Sequence, residues 1–154
     1  MKYEINQEVM ELINTTTYSN DKNLNENIRQ KVINWIIHSQ NDTKNKCTWV
    51  IRKVAKDNRY TTLKMWKTFV SFHTIILFAS GSEFVKEVKS EYKGREYITL
   101  IMCEYKGQKY NAHHLKDRKD NRIEQMQVLT EQCHNDVDRQ RLYEIWRKEK
   151  TLSL

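Results

Sequence analysis

The sequence predicts an α+β chain. N-terminal helices lead into a basic middle that contains strands, and a strand–loop–strand–helix unit at the C-terminal end is closed by one more helix. Three observations carry this. Apolar residues before position 41 recur at helical spacing. The run YITLIMCEY, Tyr97 to Tyr105, reads as a buried strand flanked by Lys-Gly turns at Lys93-Gly94 and Lys106-Gly107. The charge is segregated: residues 44–122 hold 18 Lys+Arg against 8 Asp+Glu, while the two flanks together are slightly acidic.

The elements follow in order. Ile5, Val9, Leu12 and Ile13 share one face of a first helix, and Leu24, Ile28, Val32, Trp35 and Ile36 form the stripe of a second. The connector between them is long, and Arg29 and Lys31 are the only cations on the second helix, so packing fits the pair better than groove reading. CTWVIRKVA, residues 47–55, is rich in strand formers, and KDNR after it is a turn. Thr61 to Ser80 is read as a helix ending at Gly81, although its β-branched and aromatic content also permits strands. His73 in that stripe reads as a hydrogen-bonded core histidine. Phe84 to Tyr92 alternates as a strand, and Lys109 to Leu115 returns from the hairpin turn at Lys106-Gly107. Met126 to Leu129 is a short strand. Thr130 can cap a helix through His134 and Asp138, and Arg139 to Lys150 is the closing helix. The organisation is therefore a helical segment at 1–43, a basic middle at 44–96 that would contact DNA, and a C-terminal unit at 97–154.

Composition bounds the partners. The 154 residues suit one domain or one with a small appendage, and a net charge of +7 favours a polyanionic partner, with nucleic acid first. A plain solubilising surface would account for the charge equally well. Cys47, Cys103 and Cys133 have no paired spacing, which excludes a zinc ribbon and argues against a disulfide framework. The start, MKYEINQEV, has no signal-peptide core, and the most apolar run, Thr68 to Ala79, is too short to cross a bilayer. The protein is expected to be soluble and cytoplasmic, with no membrane partner and no small-molecule cofactor, as a monomer or homodimer.

The stretch Tyr110–Asp138, YNAHHLKDRKDNRIEQMQVLTEQCHNDVD, gathers three of the five histidines and places Asp138 four residues after His134. It resembles the HNH endonuclease motif, the ββα-metal finger, in the form found in phage and mobile-element enzymes. The likeness lies in the His pair, the polar loop, the Arg-Ile-Glu, the Leu-Thr helix start and the Cys-His. It covers roughly residues 97–140 and implies metal-dependent hydrolysis of phosphodiester bonds in DNA. In that family pattern His113 is a metal ligand, His114 is the general base, and His134 and Asp138 complete the ligand set. The metal is one divalent ion: Mg²⁺, Mn²⁺ or Zn²⁺. Arg118, Lys119 and Arg122 would hold phosphate, and Gln125 and Asn121 stand at loop-bracing positions.

The chemistry suits these residues. Hydrolysis needs a water, a group to take its proton, and a cation for the charge developing on phosphate. Neighbours on a strand face opposite ways, so adjacent histidines can take different roles. An imidazole titrates near neutral pH, as a base should. The chain departs from the family at Gln125, where Asn is usual, and in a loop about one residue short. It also lacks the zinc-binding cysteines that brace many HNH domains. Gln125 favours a second reading, a basic nucleic-acid-binding or inhibitor protein with a decayed finger. A third reading uses Glu104 and Lys106 at the end of the buried strand as half of a PD-(D/E)xK nuclease site, with Glu87 or Glu91 as the earlier acid.

Overall fold

The first helix, α1 (Gln7–Thr15), begins where Asn6 turns its side chain back: Oδ1 accepts from the amides of Glu8 at 3.0 Å and Val9 at 3.3 Å. It buries Val9 and Ile13 and ends where Thr16 donates to the Leu12 carbonyl. The second, α2 (Lys22–Asn41), starts with Asp21 Oδ1 accepting from the Leu24 amide. Its stripe of Ile28, Val32, Trp35 and Ile36 is buried as the spacing requires, whereas Leu24, the first member of the stripe, is exposed. Between the helices Asn25 Oδ1 accepts from the amides of Tyr18 and Ser19, and the fully buried Tyr18 donates its hydroxyl to the Ile13 carbonyl at 2.6 Å.

This computed structural model describes residues 4–41, 47–53 and 60–130. The turn at KDNR, the helix through His134 and Asp138, and the closing helix fall outside them. The described residues form an α+β fold with three small antiparallel sheets. The first joins β1 (Val50–Ile51), β2 (Thr62–Met65) and β3 (Thr68–Ser71). The second is the hairpin of β4 (Val85–Tyr92) and β5 (Arg95–Met102). The third orders β6 (Glu104–Tyr105), β7 (Gln108–His114) and β8 (Met126–Thr130).

The segment 61–80 is not one helix. Its first half is the β2–β3 hairpin, and only Phe72–Ala79 is helical, as α3. The reason is the period. Leu63 and Met65 are buried around exposed Lys64, and Thr68 and Val70 around exposed Phe69, an alternation of two that a helix cannot satisfy. From Phe72 onward nearly every side chain is buried, so α3 is a core helix. Gly81, at φ +88°, ends it: Gly81 donates to Phe78 and Ser82 to Leu77, which closes the last turn.

Both Lys-Gly turns form. Lys93 and Gly94 take φ of 51° and 77°, and Lys106 and Gly107 take 51° and 78°, the left-handed pair that matches hairpin twist. The strand read across Tyr97–Tyr105 breaks at Cys103. Its first part pairs with β4, and only Glu104 and Tyr105 pair with β7. One apolar cluster draws on all three helices and on β2 to β5, with Ala112, Ile123, Met126 and Val128 of the C-terminal hairpin packed against it. Among the described residues no helix is long and apolar enough to cross a membrane.

Candidate functional site

The β7–β8 hairpin carries the histidine pair at the end where its connecting loop begins, with His113 opposite Gln127 and His114 opposite Met126. Both imidazoles are buried, 3% and 5% exposed, so each is held by the fold rather than by solvent. The loop between the strands is closed by backbone and local turns. The Leu115 amide donates to the Gln125 carbonyl at 2.9 Å, and Asp117 turns the chain by accepting from the Lys119 amide.

His114 is the best-defined member. Its Nε2 lies 2.9 Å from Oδ1 of Asn121 in the loop, and its Nδ1 is buried without a partner. An amide oxygen only accepts, so in the neutral ring this contact places the proton on Nε2 and leaves the lone pair on Nδ1. Two further rings pack on it. His73 of α3 meets it edge-on with centroids 5.1 Å apart, and Tyr60 is tilted against it at 5.4 Å. Tyr60 and His73 are themselves 5.3 Å apart, so the three rings form a triangle. Burial, and then the neighbouring His114, push the His73 pKa down from 6.5 to about 4, so His73 is neutral at pH 7. The expected hydrogen-bonded core histidine is instead half-buried and held by ring contacts. Sequence offered no sign of Tyr60 and His73 as neighbours of His114, since they stand 54 and 41 residues away.

The loop side chains divide by role. Arg118 and Lys119 are exposed. Lys119, Asn121 and Arg122 line a cleft of about 370 Å³ together with Thr16, Thr17 and Asp120. Arg122 is less available than its sequence position implied. It forms a forked pair with Asp120, at 2.9 and 2.6 Å, and donates to Asn20 Oδ1 at 2.7 Å. The Asp120 carboxyl is held below its usual range by that guanidinium. Asn121, which the resemblance places at a loop-bracing position, is the partner of His114. Gln125 braces the loop through its carbonyl, while its side-chain Oε1 is buried without a partner.

Sequence reasoning left Glu124 without a role. Its carboxylate accepts from the Ser19 hydroxyl and the Asn20 amide, and Ile123 donates to the Tyr18 carbonyl at 2.9 Å. Burial raises the Glu124 pKa, but these hydrogen bonds outweigh it and the net shift is downward. Arg122, Ile123 and Glu124 therefore fasten the β7–β8 loop to the α1–α2 connector.

Of the expected metal ligands, His113 lies on β7, and His134 and Asp138 fall outside the described residues. Among the described residues no three His, Cys, Asp or Glu side chains gather into a metal-holding group. The residues of the other nuclease reading lie along the β4–β5 and β6–β7 hairpins. Glu87 accepts from the Trp35 indole at 2.8 Å and lies 3.1 Å from His38. It stands opposite Leu100, four residues before Glu104. Glu91 faces Glu96 near the hairpin tip, and Glu104 and Lys106 sit at the β6–β7 turn. Compared with protein-family models, curated proteins and solved structures, the chain gives no match.

Proposed function

We propose that the protein is an HNH-type endonuclease that hydrolyses phosphodiester bonds in DNA with one divalent metal ion. The observation that carries this reading is His114: Asn121 Oδ1 accepts the hydrogen bond from Nε2–H, and Nδ1 keeps an unused lone pair. That is the state a general base needs before it accepts a proton from water. His73, neutral at pH 7, adds no opposing charge when His114 becomes positive. His113, one residue earlier and directed to the other side of the strand, is the described donor fitted to a metal. Its companions in this reading are His134 and Asp138. A divalent ion held there would offset the charge that develops on phosphate. Arg118 and Lys119 would lie along the strand backbone, and Arg122 would act chiefly by shaping the loop. Nδ1 is shut off from solvent, so catalysis in this reading requires the site to open as DNA enters.

The test is plasmid cleavage in Mg²⁺, Mn²⁺ or Zn²⁺, wild type against His114→Ala. Cleavage that falls by at least a hundredfold in the variant, with the fold intact, supports the reading. Equal cleavage removes His114 as the base. No cleavage with any metal, alongside salt-sensitive DNA binding, favours the basic binding protein that Gln125 suggested. Loss only with Glu104→Ala or Lys106→Ala favours the PD-(D/E)xK arrangement.

A further inference from the structure

A second surface is built from rings and cations. Across the outer face of β1–β2–β3, Val50 pairs with Lys64 and Lys64 with Phe69, so the three stand side by side. The Arg52 guanidinium lies over the Phe69 ring at 4.6 Å and the Lys64 ammonium at 5.7 Å. Beside this face the β2–β3 turn meets the tip of the β4–β5 hairpin, with the rings of Trp66 and Tyr92 5.6 Å apart. Lys67 reaches both rings, Arg95 covers Trp66 at 4.9 Å, and Lys93 lies 5.5 Å from Tyr92.

Three features mark this as more than a solvated face. Phe69 and Tyr92 are 45% and 43% exposed, so large rings are left in water beside positive charge. Trp66 holds φ at 55°, a left-handed conformation that a bulky residue adopts only at a cost and that Asn or Gly would supply freely. The charge is also one-sided. Glu91 and Glu96 pair with each other one position from the Tyr92–Arg95 pair, so they point to the opposite face of the hairpin. Among the described residues no carboxylate pairs with Arg52, Lys64, Lys67, Lys93 or Arg95.

We infer that this surface binds single-stranded nucleic acid. Bases stack on Phe69, Trp66 and Tyr92 and on the Arg52 and Arg95 planes, while phosphates lie against Lys64, Lys67 and Lys93. A duplex hides its base faces and would use the cations alone, leaving the exposed rings without a task. A membrane surface would favour aliphatic side chains between the rings, and here the aliphatic member is Val50. The inference goes beyond the nuclease reading and does not need a metal.

The experiment is fluorescence anisotropy of the full chain with a labelled 20-nucleotide oligo-dT and with a duplex of equal length, in EDTA and at several salt concentrations. Oligo-dT should bind more tightly than duplex. Tyr92→Ala and Trp66→Ala should each weaken oligo-dT binding by about tenfold, and Trp66→Phe should restore most of it. Lys67→Gln should instead flatten the salt dependence, by about 0.7 in the logarithmic slope. Unchanged thermal unfolding of Tyr92→Ala keeps a loss of binding assignable to the ring. Binding is read in EDTA, where no metal-dependent cleavage can occur, so failure of the nuclease reading leaves this result intact. Equal affinity for strand and duplex, ring variants that bind normally, or tighter ring-dependent binding to phosphatidylserine vesicles would each overturn it.

Discussion

Replacing His73 by phenylalanine should remove a proton-linked loss of stability. In the fold the His73 pKa lies at about 4, against an ordinary 6.5, because burial and then His114 disfavour its charged form. Below pH 6.5 the unfolded chain therefore takes up a proton that the folded chain refuses. Stability from this residue is fully present above pH 6.5 and is lost as pH falls from there toward 4. With those two values, the loss between pH 7 and pH 5 is about 2 kcal/mol. The ring is only half-buried, so solvent screening brings the expected figure to between about 1 and 2 kcal/mol. Phenylalanine keeps an aromatic ring against Tyr60 and His114 and cannot take a proton. The assay is urea unfolding of both proteins at pH 7, 6 and 5, an interval in which ordinary carboxylates stay ionised. The wild-type curve should drop relative to the variant as pH falls. Parallel profiles, with the difference between proteins constant to about 0.3 kcal/mol, would refute the claim that the fold holds His73 uncharged.

Three further outcomes follow from the same contacts. Glu124→Ala should cost about 2 kcal/mol in chemical denaturation, because it strands the buried Ser19 hydroxyl and the Asn20 amide, and Glu124→Gln should recover part of that. Asn121→Ala should lower any metal-dependent cleavage by about a hundredfold, without a matching loss of DNA affinity, since it frees the His114 tautomer rather than removing a DNA contact. Tyr18→Phe should lower stability by about 1 kcal/mol in the same denaturation assay, through the lost hydrogen bond to the Ile13 carbonyl.

Sequence reading succeeded where one local pattern was decisive. The α2 stripe, the two Lys-Gly turns and the histidine pair at a strand end needed only their neighbours. It failed at 61–80, where the apolar residues Leu63, Trp66, Phe69, Val70, Ile76 and Leu77 satisfy a helical stripe. The choice there rests on a turn made by Trp66 and Lys67, neither of which is a turn former, so the break between β2 and β3 carries no local mark. The same limit applies to the site. His114 and its loop were legible because they sit within one hairpin. Tyr60 and His73 reach it only through tertiary packing, and Arg122 could not be seen to be engaged until Asn20 arrived from the α1–α2 connector.

That connector also explains how the β7–β8 hairpin and its loop keep their shape. A two-stranded hairpin with a polar loop has too little buried surface to order itself. Here Tyr18, Ser19 and Asn20 hold it at successive residues: the Tyr18 carbonyl takes the Ile123 amide, Ser19 and Asn20 take the Glu124 carboxylate, and Asn20 takes Arg122. The connector is fixed in turn by Asn25 on α2 and by the Tyr18 hydroxyl bond to α1. Two helices whose sequence suggested packing rather than DNA reading thus set the loop that presents Asn121 to His114. The loop between β7 and β8 is thus held at Arg122 and Glu124 by contacts from more than a hundred residues earlier.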